Sequence, residues 1–91
     1  MKDRRSLKDL ESVGPATLRD FELLGIRTVP QLARKSARGL YLQLCEVNGT
    51  RCDPCCQDVF SAAIAQARDP NLPQDQRRWW YWSRLRKLQQ A

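Results

Sequence analysis

The feature that most constrains this chain is a Gly-Pro step, Gly14-Pro15, between two short helical patterns. It lies in residues 10–32, LESVGPATLRDFELLGIRTVPQL. Glycine reaches left-handed backbone conformations and lets another backbone or a phosphate approach closely, whereas proline suits the first turn of a new helix. Apolar residues then recur at helical spacing until Gly25, which is typical of the position after a helix C-terminus. The segment therefore predicts a helix-hairpin-helix.

Helix start signals recur along the rest of the chain. Side chains that can accept a hydrogen bond from the first helical amides stand at Ser6, Thr28, Ser36, Asp53 and Ser83, each before a run with apolar residues at helical spacing. The helix after Ser36 is expected to bury Leu40, Leu44 and Val47 on one face. No alternating apolar and polar run is long enough for a strand. We therefore expect an all-α fold, a compact domain of five to six helices.

The length bounds the organisation of the chain. A domain of 91 residues buries only about 60 to 65% of the surface of its unfolded chain. We expect residues 1–5 to form a polar arm, residues 6–82 a single helical domain, and residues 83–91 a basic tail or short helix. No apolar run approaches the roughly 18 residues of a membrane span, and the first six residues lack the apolar segment of a secretory signal. A cytoplasmic protein without a membrane partner is therefore expected.

Charge favours some function classes over others. Lysine and arginine number 16 and aspartate and glutamate 10, which gives a net charge of +6. Such a charge favours polyanionic partners if it lies on one face, and otherwise serves only solubility. Histidine is absent, which removes the commonest general base and metal ligand. A binding protein without enzymatic activity is the expectation.

Three segments carry a resemblance to a known family. They are VGPATLRDFELLGIRTVPQLA, LYLQLCEVNGTRCDPCCQDVF with its Arg-x-Asp-Pro-Cys run, and RRWWYW with its Trp-Trp-x-Trp close. Over residues 7–82 the chain resembles the small bacterial helix-hairpin-helix proteins called pathogenicity locus or mitomycin-resistance proteins. The Gly-Pro segment is also similar to the C-terminal domain of TfoX-type competence regulators. The resemblance implies a SAM-like or helix-hairpin-helix domain that binds DNA in repair or uptake.

A hairpin of this kind binds the DNA backbone through its amides and a helix N-terminus, with nearby cations adding charge. The candidate donors are the amides at Gly14, Ala16 and Thr17 and the Thr17 hydroxyl. Arg19 and Lys8 are the candidate cations. These residues predict a phosphate site that takes DNA without sequence preference.

The chain departs from the stronger DNA-binding pattern, glycine-hydrophobic-glycine followed by a basic residue. Ser12 stands where the first glycine is usual, Ala16 where lysine or arginine is common, and Leu18 where a small residue is usual. Each departure weakens the case for phosphate binding. The alternative is that the hairpin serves only to pack helices together.

Four cysteines, Cys45, Cys52, Cys55 and Cys56, have the spacing C-x6-C-x2-C-C. Four thiolates can complete a zinc site, and the two-residue gap between Cys52 and Cys55 suits one. There is no second such gap, and adjacent Cys55 and Cys56 point to different sides of a helix start, so zinc is only a weak candidate cofactor. The cysteines can instead be reduced core residues. A third alternative is a redox thiol at Cys55, whose pKa a helix N-terminus would lower.

The last constellation is basic and aromatic, and no acidic residue occurs after position 76. Its candidate nucleic-acid contacts are Arg77, Arg78, Trp80, Arg84, Arg86 and Lys87. Four consecutive aromatics on a helix cannot all face one small core, so at least one of residues 79–82 is expected to be exposed. An exposed ring with arginines suits base stacking, while the structural alternative is that the rings clamp the C-terminus to the core. The same tail is also a candidate surface for a protein partner.

Overall fold

Five α-helices and two short 3₁₀ helices make up the part of the chain that the computed structural model describes, residues 5–50 and 52–90 without the side chain of residue 90. The α-helices are α1 (Pro15–Leu23), α2 (Val29–Ala33), α3 (Ala37–Asn48), α4 (Cys55–Arg68) and α5 (Trp79–Gln90), and the 3₁₀ helices are Leu7–Asp9 and Gln74–Arg77. None of the described residues forms a strand, so the prediction of an all-α fold is confirmed. Among the same residues, no helix has the length and apolar character needed to cross a membrane.

The helix α4 lies at the centre of the fold and packs against α2, α3, α5 and the second 3₁₀ helix. Phe60 and Ile64 are buried apolar residues of α4, and the ring centroid of Phe60 lies 5.6 Å from that of Phe21 on α1. Alanines at 62, 63 and 67 are also buried. Small side chains let neighbouring backbones approach closely, so α4 can be covered on several sides at once.

Two polar side chains on α4 are buried, and both are fully paired. Asp58 is 1% exposed, and its carboxylate accepts two hydrogen bonds from Arg86 on α5, from Nε at 2.9 Å and Nη2 at 3.0 Å. A buried carboxylate without a partner is costly, and this paired geometry avoids that cost. The pair therefore fixes how α5 lies on α4.

Gln66 connects α4 to two distant segments. Its Oε1 accepts the Glu11 N–H at 2.8 Å. Its Nε2 lies within hydrogen-bond distance of the carbonyls of Glu11, Ala62 and Arg77, at 2.8, 3.1 and 3.3 Å. The chain before α1 and the chain before α5 are thus held to the same side chain.

Most predicted helix boundaries are confirmed. Thr28 accepts the Gln31 N–H at 3.2 Å and Ser36 the Gly39 N–H at 3.0 Å. Asp53 accepts the Cys55 N–H at 2.9 Å at the start of α4. Gly25, with φ of 77°, follows the end of α1 as predicted. These boundaries depend on hydrogen bonds within a few residues, which explains why the sequence predicts them.

Three local predictions are wrong. The helix expected after Ser6 is only a 3₁₀ turn, Leu7–Asp9, because the chain turns away at residue 10 to reach Gln66. Ser83 does not begin a short helix, since it lies buried inside α5, which runs without a break from Trp79 to Gln90. Val47 is 55% exposed, because the last turn of α3 lies beyond the part of that helix that packs on the core.

The expected polar arm falls mostly outside the described residues, which begin at Arg5. The Arg5 guanidinium donates to the carbonyls of Gln66 at 2.8 Å and Ala67 at 3.4 Å. Carbonyls near a helix C-terminus attract cations. Arg5 therefore contacts the end of α4.

We expect Arg86→Met to destabilise the protein by about 3 kcal/mol, because it leaves the Asp58 carboxylate buried without its partner. Arg84→Met is the control, since it removes the same charge from an exposed position of α5 and should change the free energy of unfolding by less than about 0.5 kcal/mol. Urea denaturation followed by tryptophan fluorescence measures both. Equal stability of the Arg86→Met variant and the unmodified protein would contradict a structural role for the pair.

Candidate nucleic-acid interface

Ser12 joins the two segments in which the sequence predicted nucleic-acid contacts. It has φ of 70°, a left-handed conformation, so the serine takes up the conformation for which glycine is usual. Its hydroxyl donates to the Arg77 carbonyl at 2.9 Å and accepts the Trp79 N–H at 3.1 Å. The sequence interpretation counted Ser12 only as a lost glycine. In the structure it attaches the Gly-Pro turn (residues 12–15) to the first residue of α5.

Gly14 differs from its expected role. Its φ of −97° and ψ of −176° are extended, so the left-handed residue of the turn is Ser12 and not Gly14. Apart from Gly14 itself and its two chain neighbours, a Cβ placed on Gly14 would have no atom within 4 Å. No neighbour among the described residues therefore requires a glycine here, and the space beside Gly14 is open to a group from outside the chain.

The N-terminus of α1 offers hydrogen-bond donors beside this space. Pro15 has no N–H, and the Leu18 N–H donates to the Gly14 carbonyl at 3.0 Å. The amides of Ala16 and Thr17 have no acceptor among residues 5–50 and 52–90. Unpaired amides at a helix N-terminus favour anions.

Of the two candidate cations near α1, Lys8 lies in a different groove. Arg19 is exposed on α1. Lys8 is also exposed, but it lines a different groove together with Leu18, Glu22 and Arg27. The structure therefore does not bring Lys8 to the groove beside Ala16 and Thr17.

A groove of about 240 Å³ lies between the N-termini of α1 and α4. It is lined by Ala16, Thr17, Asp20, Asp53, Cys55, Cys56, Val59, Phe60 and Trp79. Burial raises the pKa of Asp20, while the charge of Arg19 acts against that shift. Hydrogen bonds from Cys55 lower the pKa of Asp53. The sequence interpretation named Asp53 only as a helix start and did not name Asp20, since their positions in the chain gave no sign that the fold brings them together.

The four aromatics at the start of α5 divide into two pairs. Trp79 is 36% exposed and Trp80 47% exposed, and their ring centroids lie 6.1 Å apart. Trp82 is partly buried, and its Nε1 donates to the Gln76 carbonyl at 2.7 Å, with Tyr81 packed edge-on against it. The expectation of an exposed ring is therefore confirmed, and so is the expectation that some rings pack inward.

Some basic residues of the C-terminal segment form hydrogen bonds within the protein, and others are exposed to solvent. The Arg77 Nε donates to the Leu72 carbonyl at 2.7 Å, and Arg86 is held by Asp58. The Arg78 guanidinium carbon lies 5.2 Å from the centre of the Trp80 ring, where a cation is attracted by the ring face. Arg84 and Lys87 are exposed. Arg78 is thus the cation that the structure places directly on an exposed aromatic.

The cysteines lie at the end of α3 and around the start of α4. The Cys45 sulfur accepts the Cys52 N–H at 3.3 Å, and the Cys52 sulfur accepts from Asn48 at 3.6 Å. Cys55 and Cys56 line the groove between α1 and α4. In the described part of the chain, no three cysteine or acidic side chains are arranged to hold a metal ion.

The expectation of a lowered pKa at Cys55 is wrong. The hydrogen bond with Asp53, together with burial and the negative charge of that carboxylate, raises the pKa of the Cys55 thiol. Burial likewise raises the pKa of Cys56. The hydrogen bond and the negative charge of Asp53 thus both act against a thiolate at Cys55.

We expect Asp53→Asn to speed alkylation of Cys55 by iodoacetamide at neutral pH. The change removes the charge that raises the pKa of Cys55, so the thiolate fraction at a given pH increases. Asparagine keeps an oxygen that can accept the Cys55 N–H, so the start of α4 is preserved. Mass spectrometry of the labelled peptide against pH measures the rate. An unchanged or slower rate in the variant would show that Asp53 does not control this thiol.

Comparison with known proteins places these features in a family. A family model described as Cdd1, pathogenicity locus, matches residues 1–88. No curated protein and no solved structure gave a match. The match spans the Gly-Pro turn, the cysteines and the tryptophan segment, and it confirms the resemblance drawn from those motifs to pathogenicity locus proteins. The chain therefore belongs to the Cdd1, or pathogenicity locus, family.

Proposed function

We propose that this protein binds the DNA backbone without sequence preference, at a surface formed by the Gly-Pro turn and the start of α5. In this proposal the turn is the hairpin of a helix-hairpin-helix, with the 3₁₀ turn Leu7–Asp9 in place of the first helix. The observation that carries it is the hydrogen bonding of Ser12 to Arg77 and Trp79. Through Ser12, two segments more than 60 residues apart in the chain form one surface.

Phosphate recognition would come from the N-terminus of α1. The free amides of Ala16 and Thr17, the Thr17 hydroxyl and the positive end of the helix dipole all favour an anion. The open space at Gly14 lets a phosphate approach the backbone. None of these contacts reads a base, so the binding would not depend on sequence.

Charge and stacking would come from the start of α5. The exposed ring of Trp80 can support an unpaired base, and the Arg78 guanidinium beside it can follow the phosphates. Exposed Arg84 and Lys87 extend the charge along the same helix. The protein would thus act as a binding protein and not as an enzyme, and its family resemblance suggests a role in DNA repair or uptake.

We expect binding of a labelled duplex to be detectable near 50 mM salt and to fall steeply by about 200 mM. Gly14→Ser tests the site itself. A serine at the N-cap can accept the Thr17 N–H, so it should stabilise the fold by about 0.3 kcal/mol, while it blocks the phosphate and weakens DNA binding. Fluorescence anisotropy and urea denaturation measure the two effects. Undiminished DNA binding by this variant would exclude the turn as the phosphate site.

Removing an acidic charge from the groove tests the same site through a variant that should strengthen DNA binding. Asp20→Asn should strengthen DNA binding by about threefold, because a carboxylate beside the proposed phosphate site repels it. Glu46→Gln removes the same charge from an exposed position on α3 outside the groove and should have a smaller effect. Equal gains in the two variants would show that only net charge matters. The same anisotropy titration serves for both.

A protein partner is the second candidate, and the exposed tryptophans favour it. Trp79 and Trp80 together offer a large aromatic area, which is typical of the centres of protein interfaces. The Gly14→Ser variant distinguishes the two functions. It should weaken DNA binding but leave the binding of a protein partner at Trp80 unchanged.

A further inference from the structure

A second pocket, of about 230 Å³, lies where the α2–α3 turn meets α4 and α5. It is lined by Lys35, Ser36, Ala37, Ser61, Ile64, Ala65, Arg68 and Trp82. It shares no lining residue with the groove at the Gly-Pro turn. It is therefore a separate site, and the DNA proposal neither requires nor explains it.

The charge of this pocket is unusual for the molecule. Two cations line it, Lys35 and Arg68, and no acidic residue does. By contrast, the groove at α1 contains Asp20 and Asp53. Another groove contains Arg38 and Arg86, but Arg86 is already paired with Asp58. Among the described residues that line this pocket, two are cations and none is a carboxylate that could neutralise them.

Arg68 is held in place by the backbone around the turn. Its Nε donates to the Ala33 carbonyl at 2.9 Å, and its Nη2 donates to the Lys35 carbonyl at 3.0 Å. These bonds leave Nη1 without an acceptor in the described part of the chain. A guanidinium fixed in this way loses little further freedom when it binds a planar or tetrahedral oxyanion.

Hydroxyl and amide donors complete the lining. The Ser36 hydroxyl accepts the Gly39 N–H at 3.0 Å, so its own proton remains to be donated. The Ala37 amide has no acceptor among the described residues, and Ser61 supplies a second hydroxyl from α4. Trp82 forms a rigid wall, since its Nε1 is fixed by the Gln76 carbonyl at 2.7 Å.

We infer that this pocket binds the phosphate group of a monoester. Arg68 and Lys35 neutralise its charge, while Ser61 and the Ala37 amide donate to its oxygens. The apolar wall of Ile64 and Trp82 faces whatever group the phosphate carries. A phosphate monoester reaches a protein either as a small molecule, such as a nucleotide, or as the terminal phosphate of a nucleic acid, and the pocket chemistry is the same for both.

The test uses the full chain and inorganic phosphate at constant ionic strength. Saturable shifts of the Ala37 and Ser61 amides and of the Trp82 indole N–H in ¹⁵N NMR spectra are expected. Lys35→Gln should weaken the binding by about tenfold, because it removes a charged donor. Lys8→Gln removes the same charge from an exposed position in a different groove and should change the binding by less than about twofold. Shifts that do not saturate, or equal losses in both variants, would overturn the inference.

Ser61→Asp provides a second variant, since it places a carboxylate in the pocket at a half-buried position. It should abolish the phosphate response, with the fold verified by the rest of its spectrum. Retained phosphate binding in this variant would also overturn the inference.

Two further arms identify the source of the phosphate. A 5′-phosphorylated oligonucleotide that binds more tightly than its 5′-hydroxyl counterpart, with the difference lost in Ser61→Asp, would assign the pocket to nucleic-acid ends. Equal binding of the two oligonucleotides, with a nucleoside monophosphate competing for the site, would assign it to small phosphate esters. Gly14→Ser leaves the phosphate response at Ala37 intact, so failure of the DNA proposal and failure of this one can be told apart.

Discussion

The other elements of the fold depend on one constraint: the buried polar side chains of α4 must find hydrogen-bond partners. This helix is covered by α2, α3, α5 and the second 3₁₀ helix, so any polar side chain on its covered faces needs an internal partner. Asp58 finds one in Arg86, and Gln66 finds several in the backbone before α1 and before α5. No buried side-chain nitrogen or oxygen among the described residues lacks a partner. The polar residues of α4 therefore select which segments can lie against it.

One consequence is the position of the Gly-Pro turn. Gln66 holds Glu11 and the Arg77 carbonyl, and Ser12 holds the same carbonyl and the Trp79 amide. The turn and the start of α5 are thus fixed relative to each other by hydrogen bonds from the Ser12 and Gln66 side chains to backbone groups. Packing and binding are therefore not exclusive roles for this turn. Its inner side is structural, while the amides of Ala16 and Thr17 remain exposed to a ligand.

A second consequence concerns charge. A net charge of +6 suggests a broad basic surface, but the fold uses several of its arginines internally. Arg77 and Arg68 bind backbone carbonyls, and Arg86 neutralises Asp58. The positive potential available to a partner therefore depends on the cations left over and on how far they lie from carboxylates. By that measure the pocket beside Lys35 is more favourable to an anion than the groove beside Asp20.

The sequence by itself determined the all-α class and most of the helix boundaries. These features depend on hydrogen bonds within about four residues and on helical periodicity, so the local sequence is enough to specify them. The tertiary structure alone decided that Ser12 adopts a left-handed conformation, that Arg86 is buried against Asp58, and that Trp79 and Trp80 are exposed while Trp82 packs inward. Ser12 and Trp79 are separated by 67 positions, and no pattern within either segment specifies that they meet; the packing around α4 does.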